Sequence, residues 1–134
     1  MGLDIYAEQL IQNYEHPSNK HVIEDASTSM HEENVSCGDV ITVYLKLDGD
    51  KIQDASFDGN GCVISIGSAS MLTDELKGKT LAQLEKMQYK DLLSIIGIDP
   101  GPVRMHCATL SLRALKKAAF VFERKPVDTS TKEL

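Results

Sequence analysis

Between residues 40 and 60 apolar and polar positions alternate with a period of two, and from residue 62 onward the period lengthens to that of a helix. In Val40–Leu47, Ile41, Val43, Leu45 and Leu47 fall on one side with mostly polar residues opposite, which predicts a strand with one buried face. Asp48-Gly49 supplies a hairpin turn and Lys51–Asp58 the returning strand. The alternation slips between Ile52 and the Ala55/Phe57 pair, predicting a bulge or a shifted boundary. A weaker strand is expected around 25–30. Ahead of it Ile5, Leu10, Ile11 and Tyr14 sit at helical spacing, and His16-Pro17 ends that helix.

Downstream, Ile64, Ser68, Met71, Leu72 and Leu76 line a helix that Gly78 stops. Small residues at 67–70 keep it thin enough to pack closely on the sheet. Thr80 and Gln83 form a capping box ahead of Leu84 and Met87. A short helix over 91–96 ends at Gly97, Pro100-Gly101-Pro102 breaks the chain, and Ala108, Leu112, Leu115, Ala119 and Phe122 mark a long last helix. Strands first and helices after give an α+β fold, with one domain over 1–124 and a loose polar tail over 125–134.

Composition narrows the function. The chain has 134 residues and a formal net charge of −6, without a Lys/Arg-rich block, which excludes a phosphate backbone as the main partner. No apolar run approaches the ~18–20 residues of a membrane span, and Asp4 and Glu8 stand where a signal peptide would be basic and then apolar. A cytoplasmic location is expected. Three cysteines is an odd number, which fits free thiols better than a disulfide framework. Asn34-Val35-Ser36 matches a glycosylation acceptor by accident.

The thiols lie at junctions between elements. Ser36-Cys37-Gly38-Asp39 precedes the strongest strand, and its glycine lets a thiol and a carboxylate turn toward one point. Gly59-Asn60-Gly61-Cys62 leads into the small-residue helix, whose dipole favours a thiolate. Arg104-Met105-His106-Cys107 opens the last helix, where His106 adds an imidazole and Arg104 a cation for a thiolate or persulfide. His16, His21 and His31 have no thiol beside them and are assigned to the surface. Cys62 follows Cys37 by 25 residues and Cys107 follows Cys62 by 45, so no pair forms a zinc knuckle. Three cysteines with an Asp and a His suit tetrahedral zinc or an iron–sulfur cluster, and spacing does not choose between them. A cysteine hydrolase needs one nucleophile and its base, so three thiols argue against that reading.

These segments, with Tyr6–Pro17 and Ser68-Ala69-Ser70, make the chain resemble the IscU/SufU family of iron–sulfur cluster assembly scaffolds, the NifU N-terminal-like domain, from about Tyr6 to Phe122. The resemblance implies an N-terminal helix, a three-stranded antiparallel sheet, and several helices packed on one face of it. It implies that Cys37, Cys62 and Cys107 meet at one exposed end with Asp39 and His106 beside them, all five as ligands. Such a site takes sulfane sulfur from a cysteine desulfurase and iron from a donor, assembles a transient [2Fe-2S] cluster and passes it to recipient apoproteins, without independent turnover. Cys107 and Cys37 are the sulfur-accepting candidates, Cys107 being favoured by its helix start and Arg104. A three-cysteine site also leaves valences that a second copy of the chain can fill, giving a homodimer around a shared cluster.

The alternative is a SufU-type sulfur acceptor that holds Zn²⁺ and stimulates the desulfurase. The chain departs from both branches. Pro100-Gly101-Pro102-Val103-Arg104 replaces the Leu-Pro-Pro-Val-Lys to which the chaperone of IscU-type proteins binds. His106 is present where SufU-type proteins usually lack it, and the 45-residue spacing leaves little room for their insertion before the last cysteine. His106 and that spacing favour the scaffold over the SufU-type role, while the altered Pro100–Arg104 stretch argues against recognition by that chaperone.

Overall fold

The computed structural model describes residues 2–134. Helix α1 (Gly2–Glu15) precedes strands β1 (Thr28–Asn34), β2 (Asp39–Asp48) and β3 (Lys51–Asn60). Helices α2 (Val63–Leu76), α3 (Leu81–Lys86), α4 (Tyr89–Ile96), α5 (Met105–Phe122) and α6 (Thr129–Lys132) follow. The strands form one antiparallel sheet in the order β1-β2-β3. This is the α+β architecture that the change of period predicts.

Ile41, Val43 and Leu45 are buried, while Thr42 and Tyr44 between them are only half-buried, so β2 turns one face to the helices. The slip in β3 is a bulge. Lys46 pairs with Asp54 and Leu47 with Ile52, leaving Gln53 without an opposite residue and returning Ile52 to the core face with Ala55 and Phe57. Strand β1 begins and ends later than the expected 25–30. Residues 31–34 are polar and give no apolar signal; pairing with β2 and packing against α5 make them a strand. Thr28 Oγ1 donates to the Ala118 carbonyl at 3.1 Å, and Glu32 pairs with Arg113 (3.4 Å) and with Lys117.

Helix α2 is buried on nearly every side. Its small residues also admit α1: a Cβ on Gly67 would lie 2.7 Å from the Leu10 carbonyl oxygen. Ser70 Oγ donates to Asn13 Oδ1 at 2.6 Å on the same side. The Thr80/Gln83 capping box and the left-handed Gly97 cap both form as expected. The C-terminal segment is not a loose tail. Asp128 caps α6 by accepting from the Thr131 N–H at 2.9 Å, Thr131 is buried, and Leu134, 6% exposed, joins the core. Its polar composition hides one capped turn and one anchoring leucine.

Candidate metal centre

The turn from β1 to β2 is closed by the Asn34 carbonyl, which accepts from the Cys37 N–H (3.2 Å) and the Gly38 N–H (2.9 Å). Gly38 takes φ +73°, a left-handed conformation that an L side chain rarely adopts. Cys37 stands exposed on that turn. Asp39, which pairs with Asn34 across the hairpin, is 3% exposed and points toward the start of α2. Its Oδ1 accepts from the Cys62 N–H at 3.2 Å, and its Oδ2 lies 4.0 Å from Cys62 Sγ. This close approach needs Gly61: a Cβ there would lie 2.2 Å from Ser65 Oγ and 3.0 Å from Asp39 Oδ1.

Cys62 occupies the N-cap of α2, and Cys107 the third position of α5. Two helix starts and one hairpin turn therefore converge at the same end of the sheet. Cys37 Sγ and Cys107 Sγ are 3.0 Å apart as free thiols. Ligand atoms of Cys37, Asp39 and Cys107 all lie within 4.8 Å of one another, and Cys62 joins through Asp39. A thiol-rich set with one carboxylate is a soft, borderline donor set suited to zinc or iron. Tetrahedral sulfurs on zinc stand about 3.8 Å apart for a Zn–S bond of about 2.3 Å, so the Cys37–Cys107 pair needs to part by under about 1 Å.

The thiols differ in access. Cys107 is 1% exposed, and burial, followed by its hydrogen bond with Cys37 and the charges of Cys62, Asp39 and Cys37, pushes its thiol well above the ordinary range. Arg104, at the N-cap of α5, is exposed, and its side chain bonds neither thiol nor helix among the described residues. The cationic assistance expected for Cys107 is thus absent from this geometry. His106 is exposed, one residue from Cys107, and does not join the group of mutually close ligand atoms. Val35 and Val103, 91% and 87% exposed, stand beside the turn and ahead of α5. A hollow of about 430 Å³ between α2, α3 and α4 holds no thiol. The exposed Cys37 and half-buried Cys62 leave the site open on one side, while Asp39 and Cys107 line its buried side.

One neighbour of the thiols escapes the motif reading. Asn34 Nδ2 donates to Cys107 Sγ at 3.5 Å. The only local signal is a side-chain amide three residues ahead of Cys37, at the mouth of a turn.

The chain matches the family described as the NifU-like N terminal domain over residues 5–129. It is 39% identical over 130 residues to the zinc-dependent sulfurtransferase SufU of Bacillus subtilis, covering 84% of this chain and 88% of that one. It is 32% identical over 121 residues to the iron–sulfur cluster assembly scaffold protein IscU 1 of Archaeoglobus fulgidus, covering 90% and 78%. Among solved structures, a candidate SUF-system cluster assembly scaffold from Fervidobacterium islandicum superposes with a TM-score of 0.75 at 27% identity, covering 89% of this chain and 99% of that one. With the fold, the thiol-bearing junctions and these relatives in agreement along nearly its whole length, the chain belongs to the NifU-like N-terminal domain family.

Proposed function

We propose that this protein is a scaffold on which a [2Fe-2S] cluster is built as cargo and handed on, with sulfur supplied by a cysteine desulfurase and iron by a separate donor. The observation that carries the reading is the convergence of three free thiols and a buried carboxylate from three junctions at one open end of the sheet. A permanent electron carrier favours four cysteines, whereas a carboxylate is a weaker and more labile iron ligand that suits release. Cys37, Asp39, Cys62 and Cys107 are the proposed ligands, with His106, next to Cys107 in the chain, as a further candidate.

Exposure favours Cys37 over Cys107 as the thiol where sulfur enters. The Cys37 thiolate attacks the outer sulfur of the desulfurase's cysteine persulfide; that S–S bond breaks, a new one forms on Cys37, and the desulfurase thiolate leaves. Sulfane sulfur changes carrier without net oxidation, and a reductant then supplies two electrons per sulfur to make bridging sulfide. Cys107, buried 3.0 Å away, is the near ligand.

The same donors support a second reading. Three thiolates and a carboxylate can hold Zn²⁺ tetrahedrally, and the similarity to a zinc-dependent sulfurtransferase favours a sulfur acceptor that keeps zinc until the desulfurase docks. Zinc there would preorganise the thiolates, and sulfur acceptance at Cys37 is common to both readings.

Anaerobic reconstitution with Fe²⁺, cysteine, dithiothreitol and a catalytic cysteine desulfurase separates them. Visible absorption, iron, acid-labile sulfide and residual zinc are measured per chain. Equal iron and sulfide with zinc expelled is the scaffold outcome, and half a cluster per chain would signal a cluster shared by two copies. Retained zinc, no sulfide and faster desulfurase turnover is the sulfur-acceptor outcome and overturns the first reading.

A further inference from the structure

We propose that Asn34 is a positioning residue of the thiol site, whose side-chain amide donates a hydrogen bond to the Cys107 sulfur and withdraws charge from it when it ligates metal or cluster. The inference rests on the reading above, in which Cys107 is a ligand.

Cys107 is 1% exposed, so solvent does not serve its sulfur. Its polar side-chain partners among the described residues are the Asn34 amide at 3.5 Å and the Cys37 thiol at 3.0 Å. Once Cys37 is also a thiolate ligand it has no proton to donate. The Asn34 amide is then the one side-chain donor left to that sulfur. A ligating sulfur that accepts a hydrogen bond carries less charge, which raises the reduction potential of an attached cluster and orients the ligand.

The fold holds Asn34 for this task by its backbone. Its carbonyl closes the Cys37 turn through two N–H groups, and it pairs with Asp39 across the hairpin. These bonds survive replacement of the side chain. The hairpin pair also divides the site: the Asp39 carboxylate serves the start of α2 at Cys62, and the Asn34 amide serves α5 at Cys107. An Asn at this position therefore contributes something an Ala or Asp does not, a neutral donor aimed at a buried sulfur.

The test loads parent, Asn34→Ala, Asn34→Asp and Asn34→Gln with Co²⁺ alone and records the thiolate-to-cobalt charge-transfer band. The reduction potential of reconstituted cluster is measured on the same proteins. Removing the donor leaves the sulfur more electron-rich, so the band moves to longer wavelength and the potential falls in Asn34→Ala. Asn34→Asp, which keeps the shape and adds charge, moves both further, and Asn34→Gln restores part of the parent values. Binding by Asn34→Ala with parent band position and potential overturns the proposal while leaving the scaffold reading intact. If Asn34→Ala does not fold, Asn34→Asp decides by the same two readings. A parent that takes up neither Co²⁺ nor cluster removes the scaffold reading, and the proposal with it.

Discussion

The two turns that bound β2 are both short and glycine-bearing, Val35-Ser36-Cys37-Gly38 at one end and Gly49-Asp50 at the other, yet they are held by different kinds of bond. At the Gly49 end the sheet is tied to the connection between α2 and α3 through main-chain groups. Ile52 N–H donates to the Lys79 carbonyl, Gly78 N–H to the Ile52 carbonyl and Leu81 N–H to the Asp50 carbonyl, each at 2.8 Å. At the Cys37 end the ties to the helices run through side chains: Asp39 to the Cys62 N–H, Asn34 to the Cys107 sulfur, and Arg113 Nη2 to the Glu33 carbonyl at 3.1 Å. Main-chain ties are indifferent to side-chain chemistry and hold one geometry. Side-chain ties to sulfur and carboxylate are groups that a metal can take over. One end of the sheet thus anchors the fold, and the other is left open to exchange its partners.

Substitutions at the two ends are therefore expected to fail in different assays. The largest effect belongs to the anchored end. Ile52→Ala removes a fully buried side chain beside the main-chain ties and is expected to cost about 2–5 kcal/mol of stability. The variant that remains folded should bind Co²⁺ with parent affinity, measured by chemical denaturation and metal titration side by side. Next comes Cys62→Ser at the open end. Removal of a ligand is expected to lower Co²⁺ or Zn²⁺ affinity by more than about 100-fold, since loss of a mere supporting partner costs 10–100-fold. Apo stability should stay within about 0.5 kcal/mol of the parent. A Cys62→Ser protein that melted like Ile52→Ala would erase the division.

Asp39→Ala should straddle both assays. It removes the acceptor from the Cys62 N–H, for which a loss of about 1–3 kcal/mol is ordinary, and it removes the labile oxygen ligand. Transfer of a reconstituted cluster to an acceptor apoprotein is then expected to slow. Faster transfer would mean that the carboxylate retains the cluster instead of releasing it.

The sequence announces the anchored end and the thiol end unequally. Alternation in β2, the helical period of α2 and α5, and the Thr80/Gln83 box are local patterns, and each forms where its residues predict. Cys37, Cys62 and Cys107 stand out because glycines and helix starts surround them. Which thiol is open is not a local property. The helix start at Cys107 suggests an accessible, activated sulfur, but the β1–β2 turn closes over it from 70 residues away and buries it. Asn34 is silent for the same reason: its partner lies 73 residues on. Strand β1 and the segment at 128–134 are polar stretches whose order comes from partners on β2 and α5.

The smallest expected effect concerns pH, and it separates the two ends once more. The C-terminal half of α5 runs away from the thiols toward the anchored end, where Glu85 of α3 meets Glu123 and Lys125. Burial first, then the Glu123 carboxyl, raises Glu85 from 4.5 to about 7. An acid that holds its proton more tightly folded than unfolded stabilises the fold least when ionised, so this group's contribution is lost as pH rises from about 4.5 through about 7. Gln at this position mimics the protonated carboxyl. Glu85→Gln should therefore match the parent in thermal midpoint near pH 5 and exceed it near pH 8. At the other end the sign is reversed: metal must displace the proton that burial holds on Cys107, so binding weakens as pH falls. Glu85→Gln should leave that second profile where it is in the parent. If the substitution moved the metal-binding profile as well, the two ends would share a titrating group, and the independence argued from their bonds would fail.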